Sequence, residues 1–119
     1  MTRENLTLIV PFPPSVNTYW GFRGSQRFLT DKAKSFKQTV FQAYQASNHQ
    51  GFQAMRLSVC IELFSPDRRI RDIDNYAKSL IDALCQAGIF NDDEQIDCLN
   101  IVRNEVIKGG QCIVTIASI

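Results

Sequence analysis

At 119 residues, with 45% apolar and 21% charged side chains, the chain is a single domain large enough to bury its own core without staples. No apolar run approaches the roughly 20 residues needed to span a bilayer, which excludes an integral helical membrane protein. The formal net charge of +1 is unevenly divided: residues 1–60 hold seven Lys or Arg against two acids, and residues 61–119 hold six against ten. A basic half can face phosphates once an acidic half has bound a cation.

The opening Met1-Thr2-Arg3-Glu4-Asn5 lacks the apolar core of a secretory signal, so a cytoplasmic location is expected. Cys60, Cys85, Cys98 and Cys112 form no C-x-x-C pair, which argues against a zinc site and for buried thiols in a reducing compartment.

Leu6–Val10 reads as a first strand, ended by Pro11-Phe12-Pro13-Pro14. Residues 15–29 read as a loop rich in Asn, Gly and aromatics. Tyr19, Trp20, Phe22 and Phe28 give it much apolar surface, suited to core packing, to a subunit contact or to stacking on bases. Thr30 is the expected N-cap of a helix to about Ser47, with Ala33, Phe36, Val40 and Tyr44 inward and Lys32, Lys34 and Lys37 outward. Arg56–Phe64 alternates as a strand does, and 65–70 is a loop.

A second helix is expected over about Asp72–Ala87, because Ile73, Tyr76, Ala77, Leu80, Ile81 and Leu84 recur at helical spacing and Gly88 supplies a stop. Ile96–Ile107 and Gln111–Ser118, flanking Lys108-Gly109-Gly110, read as a hairpin. The order β-α-β-α-β-β implies an α/β (α+β) domain: one mixed four-stranded sheet covered by two main helices.

Chemistry concentrates on the second helix. Asp72 and Asp74 would sit in its first turn, with Lys78 one turn above Asp74 and Asn75, Lys78 and Asp82 facing away from the apolar stripe. Arg68, Arg69 and Arg71 precede the pair, and Asn91-Asp92-Asp93-Glu94 follows the helix. Oxygen-only clusters bind hard divalent cations, and neighbouring cations suit a phosphate. Ordinary explanations exist for each part: Asp72 as an N-cap, Asp74 as a dipole-compensating acid, Asp74–Lys78 as a surface pair. They do not explain why acids and arginines gather at both ends of one element. For Asp93 to join the pair, the chain after Gly88 must return along the helix.

Other chemistries fail on residues. An EF-hand starting at Asp72 would need an oxygen ligand at Tyr76, glycine at Ala77 and glutamate at Ala83. His49 is the single histidine and lies in a turn, which leaves little for a catalytic triad, and no glycine-rich nucleotide loop is present. No nucleotide cofactor is expected.

Pro13-Pro14-Ser15-Val16-Asn17-Thr18-Tyr19, then Asp67-Arg68-Arg69 with Arg71-Asp72-Ile73-Asp74-Asn75 and Lys78, then Gly88-Ile89-Phe90-Asn91-Asp92-Asp93 with Gln95, together resemble the RusA family. These are small endodeoxyribonucleases that resolve Holliday junctions and are often carried by prophages. The likeness spans nearly the whole chain. It implies a RusA-like fold and a homodimer that makes two symmetrical Mg²⁺-dependent cuts in four-way junction DNA during recombination and repair, with Mn²⁺ as a substitute ion. By the same likeness Asp72, Asp74 and Asp93 are metal-binding and catalytic acids, and Lys78 is a catalytic lysine. Arg71 would contact DNA, and Arg68, Arg69 and Asn75 belong to that surface. Ile70 interrupts an arginine run that relatives often continue. Two other readings stay in play: a catalytically silent junction-binding protein of the same fold, and a structural domain that never meets nucleic acid.

Overall fold

The structure is a computed structural model and describes residues 4–119. The expectation about the first three residues falls outside them. Ten elements follow in order: β1 (Asn5–Val10), α1 (Val16–Tyr19), β2 (Trp20–Arg23), β3 (Gln26–Leu29), α2 (Asp31–Ser47), β4 (Leu57–Phe64), α3 (Asp74–Gln86), a 3₁₀ turn (Asp93–Gln95), β5 (Ile96–Arg103) and β6 (Gln111–Ser118).

The main sheet has the order β1-β6-β4-β5. β6 lies antiparallel between β1 and β4, and β5 runs parallel to β4, so the sheet is mixed and four-stranded, as the element order implied. Parallel neighbours require a long crossover, and α3 provides it. One face of the sheet carries Leu6, Leu8, Val10, Leu57, Val59, Ile61, Leu63, Cys112, Val114 and Ile116. These form one core with Phe36 and Val40 of α2 and Ala77, Leu80, Ile81 and Leu84 of α3. Strict alternation therefore puts both helices on the same side, as two layers.

The helix signals behave as their chemistry requires. Thr30 Oγ1 accepts from the Ala33 N–H at 3.2 Å, α2 ends on Asn48 in the left-handed region, and Gly88 follows α3 at φ 90°.

Three expectations are corrected. Residues 15–29 are not a loop: they hold α1 and a two-stranded antiparallel ribbon, β2–β3, turned at Gly24-Ser25. Residues 96–118 are not a hairpin, because β4 lies between β5 and β6 and the Gly109-Gly110 segment only passes over the sheet end. Of the four thiols, Cys112 alone is buried, while Cys60 and Cys85 are half-buried and Cys98, on edge strand β5, is exposed.

Candidate functional site

α3 begins two residues later than its periodicity suggests. Ile73 occupies the cap position with no side-chain cap bond, and Asp74 is the first helical residue. The Asn75 N–H bonds the Asp72 carbonyl at 3.1 Å, so Asp72 stands just outside the helix and does not cap it. Both carboxylates are exposed, and Asn75 is half-buried beside them. They are spare of structural duty, which a ligand-binding acid must be.

The return of the chain is built around Gln95, a side chain only 4% exposed. Its amide oxygen accepts from the N–H groups of Asn91 and Asp92, both at 2.8 Å. Its amide nitrogen donates to the carbonyls of Gln53 (2.7 Å) and Met55 (2.8 Å). Asp92 completes a capping box by accepting from the Glu94 N–H at 2.9 Å, a bond that lowers its pKa. Asp92 is thus a structural acid holding the turn that presents Asp93.

Asp93 arrives on α3. Its carboxylate lies 3.8 Å from Lys78 Nζ, and both side chains are exposed. Lys78 pairs here across the turn rather than with Asp74 on its own helix. Lys78, Asp82, Cys85, Asp92 and Asp93 line a small cavity of about 130 Å³. Burial, then the fields of Asp92, Asp82 and Asp93, push the Cys85 thiol up.

Asp82 is a residue that sequence reasoning placed on the outer helix face without giving it a partner. Its carboxylate accepts from the Tyr19 hydroxyl and pairs with Lys37 Nζ at 3.3 Å. Lys37 therefore points at α3, not outward with Lys32 and Lys34. Burial first, then the bond and charge of Asp82, keep the Tyr19 phenol protonated. The only local cue at Asp82, Lys78 at i−4, pointed to a different partner, because Tyr19 and Lys37 lie on other elements.

The arginine loop divides in two. Asp67 accepts from Arg71 Nη1 at 2.8 Å and from the Arg69 N–H at 3.0 Å. Arg71 also donates to the Asp67 carbonyl, lies 5.7 Å from the Phe12 ring centre, and has a side chain only 13% exposed. Its carbonyl accepts from the Arg103 guanidinium. Arg71 is thus held as a loop brace, whereas Arg68 and Arg69 are exposed, Arg69 with Nη2 3.1 Å from Asp67. Asp67, Arg69, Arg71, Lys32 and Phe12 share an open cleft of about 570 Å³.

The Arg71 hydrogen bond, then the Arg69 N–H, pull Asp67 down to about 2. A carboxyl depressed on folding contributes stability that is present above its unfolded pKa, near 4, and lost as pH falls through about 2. An NMR titration should give a midpoint near pH 2 for this carboxyl, moving toward 4 in Arg71→Gln. An unmoved midpoint would discredit the brace.

A hard divalent cation suits this donor set in chemistry, since every carboxylate is an exposed oxygen donor. Among the described residues, however, no three His, Cys, Asp or Glu side chains stand close enough to hold one ion. Asp72, Asp74 and Asp93 do not form a closed three-ligand cage within one chain. Mg²⁺ is commonly bound by one or two carboxylates, with waters and substrate phosphate completing the shell, and the open arrangement fits that mode.

Exposed carboxylates with a lysine among them, and two exposed arginines of which Arg69 pairs with Asp67, stand on a two-layer α/β domain. The family profile described as Endodeoxyribonuclease RusA matches residues 11–117. The chain is 39% identical over 103 residues to the crossover junction endodeoxyribonuclease of Enterobacteria phage HK97, covering 87% of this chain and 86% of that one. It is 34% identical over 116 residues to its counterpart from Enterobacteria phage 82, covering 98% and 95%. It is 32% identical over 110 residues to that of Escherichia coli (strain K12), covering 92% of each. The chain belongs to the RusA family of endodeoxyribonucleases.

Proposed function

We propose that this protein is a Mg²⁺-dependent endodeoxyribonuclease that resolves Holliday junctions as a homodimer, cutting two strands symmetrically during cytoplasmic DNA recombination and repair. The observation that carries the reading is Lys78 standing 3.8 Å from Asp93, a residue fifteen positions away, while Asp74 lies one turn below the lysine. The buried Gln95 turn brings the two exposed groups together, and neither is in another ion pair among the described residues.

Asp72, Asp74 and Asp93 would hold the ion, with Mn²⁺ as an alternative. When bound, it would supply charge relief on the phosphoryl oxygens and an activated water. Lys78 directs its ammonium at the same corner and offsets negative charge developing on the phosphoryl group. Arg68 and Arg69 hold flanking phosphates and set the register without reading sequence. Asn75 adds a neutral donor at the same end of α3. Arg71 contacts DNA from the same surface and, paired with Asp67, also braces the loop that carries both arginines.

One active site cuts one strand, so a two-fold junction calls for a two-fold protein. Edge strand β5 supports that assembly: among the described residues its outer edge has no partner strand, and Leu99 and Val102 are exposed on it, with Val106 just beyond.

Among the described residues no three acids stand together, and a second reading to be tested is a junction-binding protein that does not cut. A synthetic four-way junction, incubated with the protein in Mg²⁺ and in EDTA, separates the two. Paired nicks in Mg²⁺ alone are expected, and binding without nicks under both conditions would leave only the second reading.

A further inference from the structure

The β2–β3 ribbon stands apart from the main sheet, and from Ser15 to Thr30 it has no acidic residue. Its register sorts the side chains onto two faces. Trp20 and Phe22 lie with Arg27 and Leu29 on one; Gly21 and Arg23 lie with Gln26 and Phe28 on the other.

Each arginine rests on an aromatic ring rather than on a carboxylate. The Arg27 guanidinium carbon is 3.9 Å from the Trp20 ring centre, and that of Arg23 is 5.2 Å from Phe28. Among the described residues neither arginine is in an ion pair. Stacking orients a guanidinium while leaving its N–H fork available for phosphate. Phe28 in turn sets the far end of its ring against Gly21, where an added Cβ would come within 2.5 Å of it. Arg23, Gln26 and Phe28 form, with Lys34 of α2, a cleft of about 250 Å³ that has two cations and no acid. Phe22, opposite Arg27, is 68% exposed.

The base of the ribbon is tied to the active corner. Tyr19 bonds Asp82 on α3, one turn from Lys78, and Tyr19, Trp20, Lys78 and Asp82 line one small cavity.

Resting on the reading above that the substrate is branched DNA, we propose that the β2–β3 ribbon is a DNA-gripping finger. Arg23 and Lys34 hold a backbone phosphate in their cleft, Arg27 holds a second, and Phe22 stacks on a base exposed at the branch point. A two-stranded ribbon is narrow enough for a DNA groove, and an exposed aromatic ring beside cations, one residue pair below the ribbon's turn, is the combination that unstacks and holds bases.

Binding is measured in EDTA by fluorescence anisotropy, with a synthetic four-way junction and a linear duplex as probes, over a salt series. Arg23→Ala/Lys34→Ala should weaken binding to both probes and reduce the slope of log K against log salt by about one, since each phosphate contact contributes about 0.9. Phe22→Ala should leave the slope unchanged and lower junction affinity on the order of ten-fold, with little effect on the duplex. It should also abolish the emission change of 2-aminopurine placed at the branch point. Being exposed, Phe22 can be truncated without loss of fold.

Wild-type affinities and slopes in both variants would overturn the finger while leaving the nuclease reading intact. A wild-type protein that binds no junction would overturn both. A changed sedimentation coefficient in Phe22→Ala would make Phe22 a subunit contact and also overturn the proposal.

Discussion

Asp72→Asn should abolish detectable junction cutting, a loss on the order of 10²–10³-fold or more, while junction binding persists. Asp72 is exposed, lies outside α3 and makes no capping bond, so its charge can be removed without cost to the fold. The substitution keeps the shape and one oxygen donor but removes the negative charge that a divalent ion requires. Binding in EDTA should be unchanged or slightly tighter, because a carboxylate facing phosphates is repulsive until a cation screens it. Lys78→Ala should behave alike, lowering rate on the order of 10²-fold with less effect on affinity, since the lysine is exposed and among the described residues its one ion pair is with Asp93. Single-turnover cleavage and gel-shift measurements on the same preparations check both. Equal losses of binding and cutting would remove the metal-ligand role from Asp72 and the charge-stabilising role from Lys78.

The parts of this site that the sequence made readable are those set by local chemistry. The stripe through Ile73, Leu80 and Leu84, the stop at Gly88 and the cap at Thr30 depend on neighbours within a few residues, and all took their expected places apart from the two-residue shift at Asp72. Strand partnership is different. Gly109-Gly110 signals a turn but cannot say which strands it joins, and β4 displaced the expected pairing because the α3 crossover sets β5 parallel to it. The β2–β3 ribbon was hidden because four-residue strands are too short to show alternation. Its Gly-Ser turn, with Gly24 at φ 63°, was the one available cue.

Side-chain duty was less legible than position. Arg71 stands in a basic run, and its pairing with Asp67 four residues earlier was not singled out from that run. Lys78 had an acid at i−4 and another at i+4, Asp74 and Asp82, but its ion-pair partner is Asp93. Only a chain that doubles back can make that pair, and the doubling depends on a buried amide.

That amide yields the second large effect. Gln95→Leu should lower stability by roughly 2–4 kcal/mol, because two backbone donors and two backbone acceptors lose their partner at a half-buried turn. The melting temperature should fall by about 10 °C. Gln95→Glu makes a sharper test of the geometry. It retains the shape and the acceptor for Asn91 and Asp92, but sets a second oxygen where the amide nitrogen now donates to Gln53 and Met55 at 2.7 and 2.8 Å. Burial and those carbonyls raise the pKa of the new carboxyl above its unfolded value near 4.3, so the destabilisation relative to wild type grows as pH rises through that range and shrinks below about pH 4. Urea unfolding at pH 3.5 and 7 measures the difference. In both variants, at temperatures where the protein remains folded, cutting should fall on the order of 10²-fold while junction binding is largely kept, because the turn no longer brings Asp93 to Lys78. Variants that match wild type in stability and rate would mean that Asp93 is positioned by something other than Gln95.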